Sequence, residues 1–314
     1  MKVLKNKCLI TGGAGFIGSN LARRLLTEGS EVIILDDLST GNLLNVPEKA
    51  QFIQGDISKR DTWKSLPPVD YVFHLGAMVS VAESVSNPIK CELINVHSII
   101  HLIDYVRNHK IKKIIFASSA AIYGDGSSLQ SESQYPNPKS PYGLSKLSGE
   151  YLLNMAWVNE KIPYTALRMF NVFGPYQSID SAYASVIPIF IMKTLKKENL
   201  TIYGDGKQTR DFIFIDQITD YYIQAMRNKA VGVFNAGNQS NCNILSLANT
   251  IQALCDCSYL EIIHKESRAG DIRESLADTT LLAHNFALVK MNFRASLQKT
   301  LEYYRNLIRQ RSLK

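Results

Sequence analysis

Short runs of Val, Ile, Leu and Phe alternate with longer stretches whose apolar residues recur at helical spacing. Lys7–Thr11, Glu31–Asp36, Gln51–Gln54, Tyr71–Leu75, Lys113–Ser118 and Tyr164–Met169 read as strands. Ile17–Glu28 and Ile89–Asn108 read as helices between them. Strands that are apolar almost throughout, joined by helical crossovers, predict a parallel sheet covered on both faces. Pro136, Pro138 and Pro141 punctuate the loop before a further helix, and Pro141 suits its start. After about Phe173 the pieces shorten, broken by Pro175, Pro188, Gly204-Asp205-Gly206 and the turn from Gly232 to Gly237. Residues 1–172 are therefore expected to form the larger α/β domain and 173–314 a smaller one. The segment Arg210–Asp216 is expected to return to the first domain's site.

The 314 residues suit one large α/β unit or two domains, and 46% hydrophobic with 20% charged residues is ordinary for a soluble enzyme. The five cysteines (Cys8, Cys91, Cys242, Cys255 and Cys257) have neither redox nor zinc spacing. The run from Met1 to Lys7 leads straight into a strand, so no secretory leader is expected. Val186–Leu195, interrupted by Pro188 and Lys193, is too short to cross a bilayer. The cytoplasm is the expected location. The net charge of +7 comes with only small basic groups, at Lys110–Lys113, Lys193–Lys197 and Arg305–Lys314. A solvated surface is the better reading than a nucleic-acid site, and a mildly basic protein suits an anionic substrate. His97 and His101 share a helix face, but Ser98 follows His97, so the metalloprotease pattern is missing and no metal is expected.

Thr11-Gly12-Gly13-Ala14-Gly15-Phe16-Ile17-Gly18 joins the first strand to the first helix. Glycines at 12, 15 and 18 allow a sharp turn and bring a pyrophosphate to the free N–H groups of a helix start. Asp36 follows at the end of the second strand. A carboxylate there accepts from the adenosine ribose hydroxyls and repels a 2′-phosphate, which favours NAD over NADP. Asp56, at the end of the third strand, either accepts from the adenine amino group or caps a helix.

Tyr142-Gly143-Leu144-Ser145-Lys146 places a phenol and an ammonium on one helix face. The bland reading is a surface pair. The chemical one is a general acid/base whose pKa the cation lowers toward working pH.

Taken together, the motifs resemble those of the extended short-chain dehydrogenase/reductases, in the nucleotide-sugar 4-epimerase branch. The likeness runs through the glycine turn, Asp36-Asp37-Leu38-Ser39-Thr40-Gly41, His74-Leu75-Gly76-Ala77, Asn95, and Ser118-Ser119-Ala120-Ala121-Ile122-Tyr123-Gly124. It continues through Tyr142…Lys146, the segment from Arg168 to Pro175, the segment from Tyr203 to Phe212, and Gly270-Asp271-Ile272-Arg273. Met169 and Gly76 depart from the usual tyrosine and alanine, and neither change removes a reacting group. The resemblance implies a Rossmann-type doubly wound sheet with a smaller α/β substrate domain. It implies catalysis by Ser119, Tyr142 and Lys146. It implies NAD held along Gly12, Gly15, Phe16, Ile17, Gly18, Asp36, Asp37, Ser39, Thr40, Gly41, Asp56, Ile57, Leu75, Ala77, Asn95, Ser118 and Phe170, together with Tyr142 and Lys146. Ser119 is expected to bond the sugar O4.

Ala120 and Ala121 bear on the reaction. Related 4,6-dehydratases read Thr-Asp-Glu here, and decarboxylating relatives also carry an acid. Alanine neither gives nor takes a proton, so redox at C4 survives without elimination. The implied activity is C4 epimerisation of a UDP-hexose through a transient 4-keto sugar. Asn171, Arg210 and Arg268 are implied to hold the diphosphate, and Asp271 the uridine ribose. Ser275, small where family members that exclude N-acetyl sugars carry tyrosine, points to UDP-GlcNAc/UDP-GalNAc, with UDP-Glc/UDP-Gal also accepted. Ser80, beside Val79, is placed on the same wall. The alternatives are a dehydratase or decarboxylase, a UDP-glucuronate 4-epimerase, and a catalytically silent NAD-binding regulator. Relatives commonly dimerise through the helices at Ile89–Asn108 and Tyr142–Asn159. A homodimer is thus implied, with Leu147, Tyr151 and Leu152 either forming its apolar face or facing the sheet.

Overall fold

The computed structural model describes residues 6–124, 129–179, 185–267 and 273–312. The first half runs β1 (Lys7–Thr11), α1 (Phe16–Thr27), β2 (Glu31–Asp36), β3 (Gln51–Gln54), α2 (Arg60–Lys64) and β4 (Tyr71–His74). Then come α3 (Val81–Ser86), α4 (Pro88–Glu92), a π-helical turn (Leu93–His97), α5 (Ser98–Asn108), β5 (Lys113–Ser119), β6 (Leu129–Gln130), α6 (Pro141–Glu160) and β7 (Tyr164–Met169). The second half runs β8 (Asn171–Phe173), α7 (Val186–Leu195), β9 (Leu200–Tyr203), β10 (Thr209–Arg210), β11 (Phe212–Phe214), α8 (Ile215–Arg227) and β12 (Gly232–Ala236). It ends with β13 (Cys242–Asn243), α9 (Ile244–Leu254), β14 (Ile262–Lys265), β15 (Leu276–Ala277), α10 (Thr280–Asn285) and α11 (Phe293–Ser312).

The central sheet has seven strands in the order β3-β2-β1-β4-β5-β7-β12, all parallel. This is the doubly wound arrangement, with its switch point between β1 and β4. Successive residues of each strand feed opposite cores. Cys8, Ile10, Ile34, Phe73, Ile115 and Leu167 join α1, α7, α8, α9 and α11 on one face. Leu9, Ile33, Leu35, Val72, Ile114 and Ala166 join α2, α5 and α6 on the other. β12 and α8 come from the second half of the sequence, yet one completes the sheet and the other covers it. The remaining strands pair two by two: β8 with β11, β9 with β14 and β6 with β15 in parallel, and β10 with β13 antiparallel.

The expected helix over Ile89–Asn108 is divided. Pro88 starts α4, and the π-helical turn at Leu93–His97 separates it from α5. The expected basic group at Lys110–Lys113 is not all surface. Lys113 is buried, and its Nζ donates to Ala225 O at 2.8 Å and Asn228 O at 3.2 Å. It therefore closes the C-terminal end of α8, where carbonyls lack helical partners. Burial lowers its pKa to about 8. Lys113→Met should remove these bonds and cost about 1–3 kcal/mol, read from denaturant unfolding; an unchanged midpoint would contradict this role.

Candidate active site

The parallel strands bring their C-terminal ends to one edge, and the crevice outside that edge receives ligands in such sheets. Gly12, Asp36, Asp56, Leu75, Ser119 and Phe170 all lie at or just past these ends. Gly12 has φ +68, and a Cβ there would stand 2.8 Å from the backbone of Gly76. Gly18 is equally constrained, since a Cβ would lie 2.3 Å from Gly12 O. Gly15 caps α1 without any side-chain bond, so the first N–H groups, from Phe16 to Gly18, face the turn without a side-chain acceptor at the cap. A diphosphate fits this cradle.

Asp36 is buried, and its two oxygens accept from Ala14 N at 3.0 Å and Leu38 N at 2.9 Å. Burial raises its pKa, while these bonds oppose the rise. A carboxylate has about four acceptor positions, so lone pairs remain for two ribose hydroxyls. A Cβ on Gly41 would approach Asp36 Oδ1 to 2.7 Å, so only glycine lets the following loop close here. Asp37 turns inward on its own loop: its Oδ1 accepts from Ser39 N and Ser39 Oγ, beside an exposed Thr40. Asp56 Oδ1 accepts from Ser58 N at 2.8 Å in a local turn and does not cap α2, whose N-cap is Lys59. Ile57 packs toward Gly76, and Ala77 follows on the same loop.

The residues expected to react converge. Ser140 caps α6 through Gly143 N at 3.1 Å, with Pro141 in the first turn. Tyr142 N donates to Ser84 Oγ at 3.1 Å, anchoring the first turn on α3. Ser119 Oγ accepts from Ala121 N at 3.1 Å, and its side chain stands close enough to the Tyr142 phenol to lower the phenol's pKa. Lys146 is buried, with Nζ 5.8 Å from the centre of the Tyr142 ring and 5.0 Å from that of Phe116. The expected fall of the Tyr142 pKa is not found. Burial raises it, and nearby Ser119 pulls it only part of the way back. Burial also lowers Lys146 to about 8. In the protein alone Tyr142 therefore stays a phenol, while Lys146 holds its proton less firmly than a free lysine but still carries it at neutral pH.

The side chains of three expected contact residues already hydrogen-bond within the protein. Asn95 sits in the π-helical turn and bonds Met78 N, Met78 O and Ser145 Oγ at 2.8, 3.0 and 2.9 Å. Its amide ties the loop after β4 to α6 rather than reaching along the crevice. Ser118 Oγ donates to Glu150 at 2.5 Å and is fully buried. Ser80 caps α3, its Oγ accepting from Glu83 N at 3.0 Å. Phe170 packs with Tyr123 and Ala277. Met169 accepts a weak bond from Tyr222 OH at 3.4 Å, taking up the space of the usual tyrosine.

On the substrate side β8 pairs with β11, which brings Asn171 beside Asp211 and hence Arg210 to the sheet edge. Asn171 Nδ2 donates to Asp211 O at 3.2 Å, and Arg210 Nη1 to Thr209 O at 2.9 Å. Ser275 is buried. Arg268 and Asp271 lie outside the described residues. Asp211 carried no expectation, yet it organises this side. Its carboxylate accepts from the backbone of Asn238, Gln239, Ser240 and Ala277. His74 was quoted only as part of a motif. Thr11 Oγ1 accepts from Leu75 N and Gly76 N, so its proton goes to His74 Nδ1 at 2.9 Å. The ring is then neutral and donates through Nε2 to Ser98 Oγ at 3.1 Å, and burial lowers its pKa to about 3.

Residues 8–237 match the NAD dependent epimerase/dehydratase family. The chain belongs to that family. Over 243 residues it is 40% identical to a putative UDP-glucose 4-epimerase of Methanocaldococcus jannaschii, spanning 76% of this chain and 79% of that protein. Its fold is similar to that of a UDP-N-acetylglucosamine 4-epimerase from Methanobrevibacter ruminantium, with TM-score 0.92 and 36% identity over 96% of this chain and 99% of that one. A UDP-glucose 4-epimerase from Thermotoga maritima gives TM-score 0.91 and 33% identity over 96% and 99%. NAD is the family's cofactor, and the glycine cradle and Asp36 fit it.

Asp36→Asn should keep the side-chain shape but remove the charge. Charged hydrogen bonds are worth about 1.5–3 kcal/mol, so NAD should bind roughly 10–100-fold more weakly with little change for NADP. Calorimetry on the stripped protein with each cofactor checks this; an unchanged preference for NAD would remove Asp36 from the role.

Proposed function

We propose that this family member is an NAD-dependent UDP-sugar 4-epimerase acting on UDP-GlcNAc and UDP-GalNAc, with UDP-Glc and UDP-Gal as further substrates. The observation that carries the reading is Ser119 close to the Tyr142 phenol, with Lys146 Nζ 5.8 Å from that ring and alanine at both 120 and 121. Ser119 orients the 4-hydroxyl, and Tyr142 as phenolate takes its proton. Lys146 as ammonium holds the phenolate and the nicotinamide ribose. When bound, NAD would supply the hydride acceptor and then donor at C4, and its positive ring would favour the phenolate. The 4-keto sugar turns its other face to the same residues, and Tyr142 returns the proton to an inverted C4. Without an acid at 120 or 121, no group there removes the C5 proton or expels the C6 hydroxyl. Binding energy then belongs on the diphosphate and uridine, leaving the hexose free to turn. Asn171, Arg210, Arg268 and Asp271 are assigned to that anchoring, and Ser80 and Ser275 to the wall near C2. A small residue at 275 leaves room for an acetamido group, and the likeness to a UDP-N-acetylglucosamine 4-epimerase supports the same choice. Among the described residues no helix is long and apolar enough to cross a membrane.

Incubation with UDP-GlcNAc, UDP-glucose and UDP-glucuronate, followed by NMR of the products, tests the reading. C4-inverted UDP-GlcNAc is expected. A 4-keto-6-deoxy product or CO2 release would overturn it. Tyr142→Phe should lower kcat by ~10²–10⁴-fold, the worth of a general acid/base. Ser275→Tyr should cost UDP-GlcNAc at least about tenfold relative to UDP-glucose, because a clash in the pocket discriminates directly.

We further propose a homodimer through α4, α5 and α6. Leu147 is buried and Leu152 packs on the core beneath α6, so these two face inward. Leu144, Tyr151, Met155 and Val158 instead form an exposed apolar stripe along α6, continued by Ile89, Leu93 and Ile100. A contiguous apolar face of this kind suits a second copy packed helix on helix. Met155→Glu should yield monomers in analytical ultracentrifugation; a wild-type monomer would refute the dimer.

A further inference from the structure

A buried polar chain links the catalytic helix to the strand beside Ser275. Glu150 stands one turn beyond Lys146 and two beyond Tyr142, on the same helix face. Its carboxylate takes both Arg168 Nε at 2.9 Å and Nη2 at 2.7 Å, and the two side chains are only 3% and 5% exposed. The same carboxylate accepts from Ser118 Oγ at 2.5 Å. Arg168 Nη1 donates to Tyr123 OH at 2.9 Å, and Tyr123 donates to Asn235 Oδ1 at 2.6 Å. Burial raises the Tyr123 pKa to about 12, so the phenol keeps the proton it donates. Asn235 Nδ2 then bonds Gln130 O at 2.8 Å and Asp278 O at 3.1 Å. Gln130 pairs with Ala277 in the β6–β15 ladder, directly after Ser275. Ser118, Arg168 and Asn235 are register neighbours on β5, β7 and β12. The chain therefore crosses three strands in one row.

We propose that Glu150, Arg168, Tyr123 and Asn235 are positioning residues that fix Ser119 and Tyr142 relative to the Ser275 wall of the sugar pocket. A buried ion pair stabilises a fold no better than apolar residues of similar volume, so stability alone does not account for this one. Its geometry does. It holds α6 from one side and Ser118 from the other, and Ser118 precedes Ser119, whose side chain stands close to the Tyr142 phenol. An apolar row would leave that separation to packing alone.

The proposal rests on the UDP-sugar reading of the site, and wild-type turnover tests that reading separately. Two variants of the NAD-loaded protein test the network. Glu150→Met/Arg168→Met replaces the pair by apolar side chains of similar length and should melt close to wild type. Its kcat should fall at least about tenfold while KM stays within about threefold, the signature of misplaced reacting groups. Turnover within about threefold of wild type would overturn the proposal. A second readout needs no substrate. Ultraviolet titration against a Tyr142→Phe blank follows the Tyr142 phenol, which faces Ser119, Lys146 and Cys91. In the double variant Ser118 loses Glu150, Ser119 moves away, and the Tyr142 midpoint should rise by up to about one pH unit as the pull of Ser119 on the phenol is lost. An unmoved midpoint also overturns the proposal. Tyr123→Phe, which removes one atom, repeats the kcat-against-KM measurement should the double variant fold poorly.

Discussion

Everything at this site depends on how closely α6 approaches the end of β5. Gly143 lies against the carbonyl of Ala121, where a Cβ would stand 2.6 Å from the oxygen. Gly149, further along, sits between Ile99 and Phe116, with a Cβ 2.5 and 2.8 Å from them. Two glycines thus let the helix lie flush on the strand and its turn. That contact places the Tyr142 phenol within reach of the Ser119 hydroxyl, and it buries Lys146 over Phe116. The glycine of the Tyr-Gly-Leu-Ser-Lys pentad is therefore as much a requirement of the chemistry as its two reactive neighbours. A larger residue would lift the phenol off the strand end.

The same closeness sets the electrostatics. Desolvation raises Tyr142 and lowers Lys146, so neither carries its working charge easily in the protein alone. Two groups so disposed respond strongly to added charge, because little water remains to screen it. On the proposed epimerase reading, a cationic cofactor in the adjoining crevice would favour the charged phenolate.

The parallel sheet was legible from its apolar runs. β1, β2, β3 and β7 fall where the alternation of runs and helical stretches predicts them. The glycine cradle, Asp36 and the Tyr142 helix were legible because their chemistry is local in sequence. The features that escaped depend on partners distant along the chain. Lys113 is one of a cluster of basic residues until α8 arrives and takes its ammonium. Asp211 shows its purpose only when the loop from Asn238 to Ser240 and the β15 strand fold back on it. Asn95 and Ser118 were placed along the cofactor by position, but the π-helical turn and Glu150 claim their side chains. The sign of the Tyr142 shift was missed for a related reason. Helical spacing reveals the cation, while burial, the larger effect here, is a property of the assembled fold.

The alanines at 120 and 121 acquire a second meaning in this setting. Ala121 offers its carbonyl to Gly143 and its N–H to Ser119, so its backbone takes part in the contact that aligns the phenol. Ala120 packs against the small cluster of Tyr123, Phe170 and Ala277. Backbone duties of this kind tolerate many side chains, so the turn itself does not dictate alanine at both positions. What alanine changes is the proton inventory. An acid at either place would add a second proton-transfer group beside a 4-keto sugar, whose C5–H is acidified by the adjacent carbonyl. On the proposed epimerase reading, a site that oxidises, waits for the sugar to turn and then reduces is best served by having no base within reach of C5 during that wait, and the alanines at 120 and 121 meet that need.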